Sequence, residues 1–263
     1  MAERPRVSVE LRDHVLLIGI DRPEKRNAFD LALIEQFAAA YGRLGADADA
    51  RVGVVFAHGD HFSAGLDLAE VGPFVAEHGP QALGGSGSYD PFGVWGPQVP
   101  KPVVLAVQGT AFTLSIELAL ASDIVVAAED VRFRQLEIAR GIVPFGGATF
   151  RAPTILGWGN AMRFLLTAEE FGAADALRIG LVQEVVPVGR QFDRALELAQ
   201  LIAQQAPLGV MGTLANARIG RDSGPAAAAD DLRALLPRIL TSQDAVEGVM
   251  SFMERRQARF TGS

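Results

Sequence analysis

The sequence has no cysteine and only four histidines among its 263 residues. The first absence excludes disulfides, thiolate nucleophiles and zinc–thiolate sites together, and it suits a reducing compartment. No Lys/Arg-rich run interrupts a formal net charge of −7, so nothing resembles a nucleic-acid footprint. No unbroken apolar run reaches membrane-spanning length, and the start "MAERPRVSVELRD" has no apolar signal region. The expectation is a cytoplasmic protein without a membrane or nucleic-acid partner. Three phosphate or nucleophile signatures are also missing: G-x-S-x-G, G-x-x-x-x-G-K-[ST], and G-x-G-x-x-G after a strand. Chemistry is left to carboxylates and backbone dipoles.

What is present is apolar and patterned. Hydrophobic residues make up 49% of the chain, enough for a sizeable core. "RVSVELRDHVLLIGIDRP" predicts two short strands around a turn near Asp13. "RVGVVFAHG", "PVVLAVQG", "DIVVAAED" and "LVQEVVP" predict further strands, the first two covered on both faces. Leu33, Ile34, Phe37 and Tyr41 fall at helical spacing behind Asp30, a candidate N-cap. Strands alternating with helices predict an α/β layer architecture. From Val71 to Pro100 the pattern dissolves into a Gly-, Pro- and aromatic-rich stretch that reads as a long loop. Beyond Pro187 every segment is helical in pattern, which divides the chain into a core, 1–199, and a C-terminal helical subdomain, 200–263.

Two carboxylates stand out. Glu117 lies in "TLSIELALASD", and Thr113, Leu114, Leu120 and Ala121, one helical turn away, include no cation. Either the fold brings a distant Arg or Lys to it, or the acid is functional. Glu137, in "RFRQLEIARGIVPFGGATF", has Arg134 and Arg140 nearby, so a surface ion pair is its default reading. The glycines of "PFGGATF" lead into a helix whose first N–H groups are free to meet an acceptor. His58, Asp60 and His61 are too loosely spaced, and too alone, to form a metal site. In "SAGLDL" small residues precede a helix start, so backbone can approach a ligand closely.

Four segments, in order, resemble the enoyl-CoA hydratase/isomerase (crotonase) superfamily: "DRPEKRNAFD", "HFSAGLDL", "KPVVLAVQGTAFTLSIELALASDIVVA" and "RFRQLEIARGIVPFGGATF". The resemblance implies a spiral of ββα repeats with a C-terminal helical subdomain that builds a homo-trimer or a hexamer of two trimers. It implies an acyl-CoA thioester substrate, coenzyme A being part of that substrate and not a separate cofactor. Matched by position, Leu66 and Leu114 supply the backbone N–H groups of an oxyanion hole, and Glu117 and Glu137 fall on the two catalytic glutamates of family hydratases. The CoA-binding positions carried over are Arg22, Lys25, Arg26, Ala28, Ala64, Gly65, Asp67, Leu68, Phe252, Arg255 and Arg256. Both glutamates together favour hydration of a 2-enoyl-CoA; the alternatives are an enoyl-CoA isomerase and a non-catalytic acyl-CoA-binding protein. The family often carries three glycines ahead of the first glutamate, where this chain has Thr113, Leu114 and Ser115. That departure leaves three consequences open: a reshaped acyl pocket, a slower enzyme, or a protein that binds CoA esters without turning them over.

Overall fold

The structure, a computed structural model, describes residues 4–263, the Ala82 side chain excepted. β1 (Val7–Arg12) and β2 (Val15–Ile20) form an antiparallel hairpin in register from Val7–Ile20 to Arg12–Val15. Asp13 and His14 both take positive φ, 47° and 67°, as a tight two-residue hairpin turn requires. α1 (Leu31–Ala46) follows, and the Asp30 carboxylate caps it by accepting from Leu33 N. β2 pairs in parallel with β3 (Val52–Ala57), which pairs with β4 (Val103–Val107). Val and Leu fill these strands because helices cover the sheet on both faces.

After β3 comes α2 (Leu68–His78), and the stretch read from sequence as a loop from Val71 therefore starts inside a helix. Gly72 and Pro73 concealed it, and Val71 is its one buried residue, so no apolar stripe marks the turn period. A 3-10 turn, Pro80–Gly84, leads to a loop that Asp90 organises. The buried Asp90 carboxylate accepts from Phe92 N, Val94 N and Trp95 N, each at 2.8 Å. The segment is irregular but internally tied.

The remaining core repeats one unit. β4 runs on to β5 (Thr110–Phe112) and α3 (Leu114–Ala121); β6 (Ile124–Ala128) runs on to β7 (Arg132–Arg134), a 3-10 turn (Glu137–Arg140) and α4 (Ala148–Leu156). β6 continues the main sheet beside β4, while β5 and β7 pair in a second, small sheet. This is the expected spiral of ββα turns. α5 (Trp158–Thr167), β8 (Phe171–Gly172), α6 (Ala173–Ile179) and β9 (Glu184–Val186) close both sheets.

α7 (Gln191–Ala203) lays Ala195, Ala199 and Ala203 on the buried face of β3, β4 and β6, so the division placed at 199/200 falls within this helix. α8 (Pro207–Ser223), α9 (Pro225–Leu240) and α10 (Gln243–Glu254) make up the tail. Arg218 ties α8 to the core through Val99 O at 2.8 Å and the Asp123 carboxylate at 3.2 Å. Leu232, Leu236 and Leu240 on α9, and Val246, Val249, Phe252 and Met253 on α10, remain exposed in the single chain. Among the described residues no helix is long and apolar enough to cross a membrane.

Candidate active site

The segment after β3 is held by a relay of short polar side chains. Asn27, fully buried, donates from Nδ2 to His58 O and His61 O and accepts from Arg22 N. Ser63 Oγ donates to Asn27 O and accepts from Gly65 N, while Ser115 Oγ at the start of α3 donates to Ser63 O. Ser63 also pairs its backbone with Thr110 and Phe112 beside β5. The two segments carrying Leu66 and Leu114 are thus tied to each other, and Ser115 does part of the tying from a position where the family often has glycine. Neither Leu66 N–H nor Leu114 N–H meets a protein acceptor among the described residues. Leu114 opens α3, so its N–H adds the positive end of the helix dipole.

Between these segments the backbone is strained. Thr113 sits at φ 49°, ψ −108°, a conformation ordinarily left to glycine, and such a residue costs about 1–3 kcal/mol. Its N–H donates to Arg134 O, and its carbonyl accepts from Ile116 N and Glu117 N, so the surroundings over-determine it. Gly65, at φ 97°, has no room for a side chain because a Cβ there would overlap Thr113 Oγ1.

Glu117 is only 2% exposed, and the default requirement of a cation is met in another way. Its Oε1 accepts from Gly146 N at 2.8 Å and Ala148 N at 3.2 Å, at the N-terminus of α4. The glycines of "PFGGATF" let that approach happen: a Cβ on Gly146 would stand 2.5 Å from Glu117 Oε2. Burial pushes the Glu117 pKa up to about 8, and the charge of Glu137 pushes the same way; the two N–H groups and Arg151 only partly oppose this. Arg151, itself buried, donates to Phe92 O and Gly93 O, fastening α4 to the Asp90 loop.

Glu137 departs from its default reading. It is 8% exposed and makes no ion pair with Arg134 or Arg140; Arg134 donates instead to Ala168 O. Among the described residues its buried Oε2 has no hydrogen-bond partner. Burial raises its pKa. The N–H of Glu137 itself, the Gln135 carboxamide and the Leu136 N–H oppose that rise, although Gln135 Nε2 closes no hydrogen bond of ordinary geometry.

A cleft of about 210 Å³ brings part of the predicted set together: Ala64, Leu66, Leu68 and Glu137 line it, with Thr113, Leu136, Arg140, Ile142 and Phe145. Glu117 and Leu114, both 2% exposed, are not among the residues that line it. Lys25 and Arg26 are exposed on the turn beside Ala28, which is half-buried. Arg22 sits differently from these two exposed cations. Its guanidinium is buried and held by Asp30 at 3.1 Å, Asp67 at 3.0 Å and Ala28 O, which also occupies the Asp67 carboxylate. Phe252, Arg255 and Arg256 lie outside this cleft; Phe252 is 85% exposed and Arg256 is paired with Glu247 and Glu254. His58 and His61 serve local bonds: His58 shares one with Ser8 Oγ and His61 accepts from Thr110 N; no cluster among the described residues could hold a metal ion. Sequence reasoning missed Ile142, Phe145 and Arg151, and took Arg140 only for an ion-pair partner of Glu137. Arg140, Ile142 and Phe145 sit on the glycine-bounded turn after Glu137, which was itself the available signal.

Comparison with known proteins gives the family. A sequence model described as enoyl-CoA hydratase/isomerase matches residues 10–263. An enoyl-CoA hydratase of Mycobacterium tuberculosis is 31% identical over 261 residues, 97% of this chain and 96% of that protein. A carnitinyl-CoA dehydratase of Escherichia coli K12 is 34% identical over 256 residues, 94% and 95% of the two chains. The crystal structure of a probable enoyl-CoA hydratase/isomerase from Mycobacterium abscessus superposes with a TM-score of 0.94 at 48% identity, covering 98% of this chain and 99% of that one.

Proposed function

The chain belongs to the enoyl-CoA hydratase/isomerase family, and on that premise we propose that it adds water across the double bond of a 2-enoyl-CoA thioester. The observation that carries this reading is the electrostatic coupling of two buried carboxylates, Glu117 and Glu137, beside a cleft lined by Leu66. In this reading Leu66 N–H and Leu114 N–H donate to the thioester oxygen and stabilise the negative charge that gathers there, an effect worth about 3 kcal/mol per donor. The carboxylate pair holds one water. Its oxygen bonds to C3, one of its protons passes to a carboxylate, and a proton from the pair is delivered to C2. Water is consumed, no electrons change hands, and no cofactor is needed beyond the CoA already on the substrate. Raised pKa values suit groups that must both give and take a proton near neutrality.

Lys25 and Arg26 would meet the anionic CoA, and Ala64 with Leu68 its adenine end. The exposed stripes of α9 and α10 would be covered by further copies of this chain in a trimer or hexamer. Sedimentation equilibrium checks this, and a monomer at micromolar concentration would count against it.

One observation favours an isomerase as the second reading: Glu137 lines the cleft while Glu117 Oε1 is already engaged by two N–H groups. A single carboxylate can carry a proton from C2 to C4. A series of 2-enoyl-CoAs of increasing chain length, followed by loss of conjugated thioester absorbance, separates the two. Hydration removes absorbance and is lost with Glu117→Gln. Absorbance gained from a 3-enoyl-CoA, with Glu117→Gln unaffected, would establish the isomerase instead.

A further inference from the structure

Thr113 is a costly choice at a place where glycine would be free of strain, so the reason for it is to be found in its side chain. Its backbone takes φ 49°, ψ −108°, and both its N–H and its C=O are already engaged. The side chain lines the same cleft as Leu66 and Glu137. Its Oγ1 packs against Gly65, the residue directly before Leu66, and Thr113 itself directly precedes Leu114. The hydroxyl therefore stands between the two segments whose N–H groups have no acceptor. Among the described residues Thr113 Oγ1 has no hydrogen-bond partner; the nearby Arg132 guanidinium donates to Thr110 Oγ1, three positions earlier on β5. An unused O–H on a residue that lines the cleft, beside two unused N–H groups, is free to act with them. It can donate to an oxygen that carries negative charge and accepts only.

We propose that the Thr113 hydroxyl is a third hydrogen-bond donor to the thioester carbonyl oxygen, added by a side chain to the two backbone donors of Leu66 and Leu114. The proposal rests on the acyl-CoA reading of the cleft. It makes Thr113 a catalytic residue in the strict sense, a group touching the reacting atoms. It also accounts for the departure from glycine: the third donor compensates for the bulk that Thr113 and Leu114 bring to the hole.

Three substitutions separate this role from a merely structural one. Thr113→Val keeps shape and branching but removes the O–H. Thr113→Ser keeps the O–H. Thr113→Gly removes both the O–H and the strain. With trans-2-butenoyl-CoA, or the chain length that turns over best, Thr113→Val is expected to lower kcat/KM about 10- to 100-fold, mainly through kcat. Thr113→Ser is expected to stay within about threefold of wild type. Thr113→Gly is expected to melt higher than wild type and yet be as slow as Thr113→Val. A second readout needs no turnover: the infrared carbonyl band of ¹³C-carbonyl butanoyl-CoA bound to each protein. The band should lie at lower frequency on wild type and Thr113→Ser than on Thr113→Val. Equal bands and equal kcat/KM for wild type and Thr113→Val would overturn the third donor while leaving the cleft's assignment intact. Failure of butanoyl-CoA to bind at all would overturn the acyl-CoA reading and this proposal with it. A band shift without hydration of any 2-enoyl-CoA would uphold the donor and remove the hydratase.

Discussion

The segments that carry the two glutamates are held in opposite ways. Glu117 is on α3, inside the core, and the N-terminus of α4 clamps its Oε1 with two N–H groups. Glu137 is on a 3-10 turn at the cleft wall, and among the described residues its Oε2 has no hydrogen-bond partner. Burial raises both pKa values, yet only Glu117 is clamped by a neighbouring helix N-terminus; Glu137 meets the N–H groups of its own turn and the Gln135 carboxamide, and keeps Oε2 for what enters the cleft. A fixed group and a waiting group form a division of labour for handling one water: the first sets position, the second completes its hydrogen bonds with the ligand.

The largest effect should come from erasing either member. Glu137→Gln and Glu117→Gln are each expected to cut kcat by roughly 10²–10⁴-fold. The double variant should fall little below the worse single one, since the pair acts as a unit. Steady-state rates with the best 2-enoyl-CoA would show this, and strictly additive losses would mean the two act independently. A smaller change attacks the clamp alone. Gly146→Ala places a methyl against Glu117 Oε2 and is expected to lower kcat by about tenfold, with Glu137 untouched. Unaltered kcat would show that the clamp does not set the geometry.

The burial of Glu117 also makes a pH prediction. Below its ordinary value of 4.5 Glu117 is protonated in both the folded and the unfolded chain. As pH climbs towards about 8 the unfolded chain ionises it first, so the fold loses stability across that interval. Glu117→Gln should therefore gain Tm over wild type as pH rises from 5 to 9, and the gap should be smallest at pH 5. A gap independent of pH would place Glu117 at an ordinary pKa. The mildest change is Ser115→Ala, which breaks the bond to Ser63 O between the two N–H-bearing segments. It should cost about 1 kcal/mol in denaturant unfolding and a few-fold in kcat. A loss of stability with kcat unchanged would show that the tie holds the fold and not the hole.

Most of the architecture could be read in the sequence because it is written in local pattern. The β-branched runs became β3, β4 and β6, and Asp30 capped α1 as its position implied. α2 escaped because Gly72 and Pro73 disrupt its period and the helix buries a single residue. The site was legible where it depends on backbone: the paired glycines before α4 advertised free N–H groups, and Glu117 takes them. What the sequence could not tell was which side chains pair at long range. Arg22 looked like a cation for a ligand until the fold brought Asp30 and Asp67 to it. Glu137 looked paired until Arg134 turned away to Ala168 O. Nor does the sequence alone show that Thr113 stands in a glycine-like conformation.

The central claim, that Glu117 and Glu137 act as one coupled proton-handling pair, is tested most directly by infrared titration of the carboxyl groups in wild type and Glu137→Gln. The account predicts a protonated carboxyl band at pH 6 that disappears with a midpoint near 8, is absent from Glu117→Gln, and shifts to lower pH in Glu137→Gln. Because burial is the larger cause, that shifted midpoint should remain above the ordinary carboxylate range. A wild-type protein with no protonated carboxyl at pH 6, or a midpoint indifferent to Glu137, would contradict it.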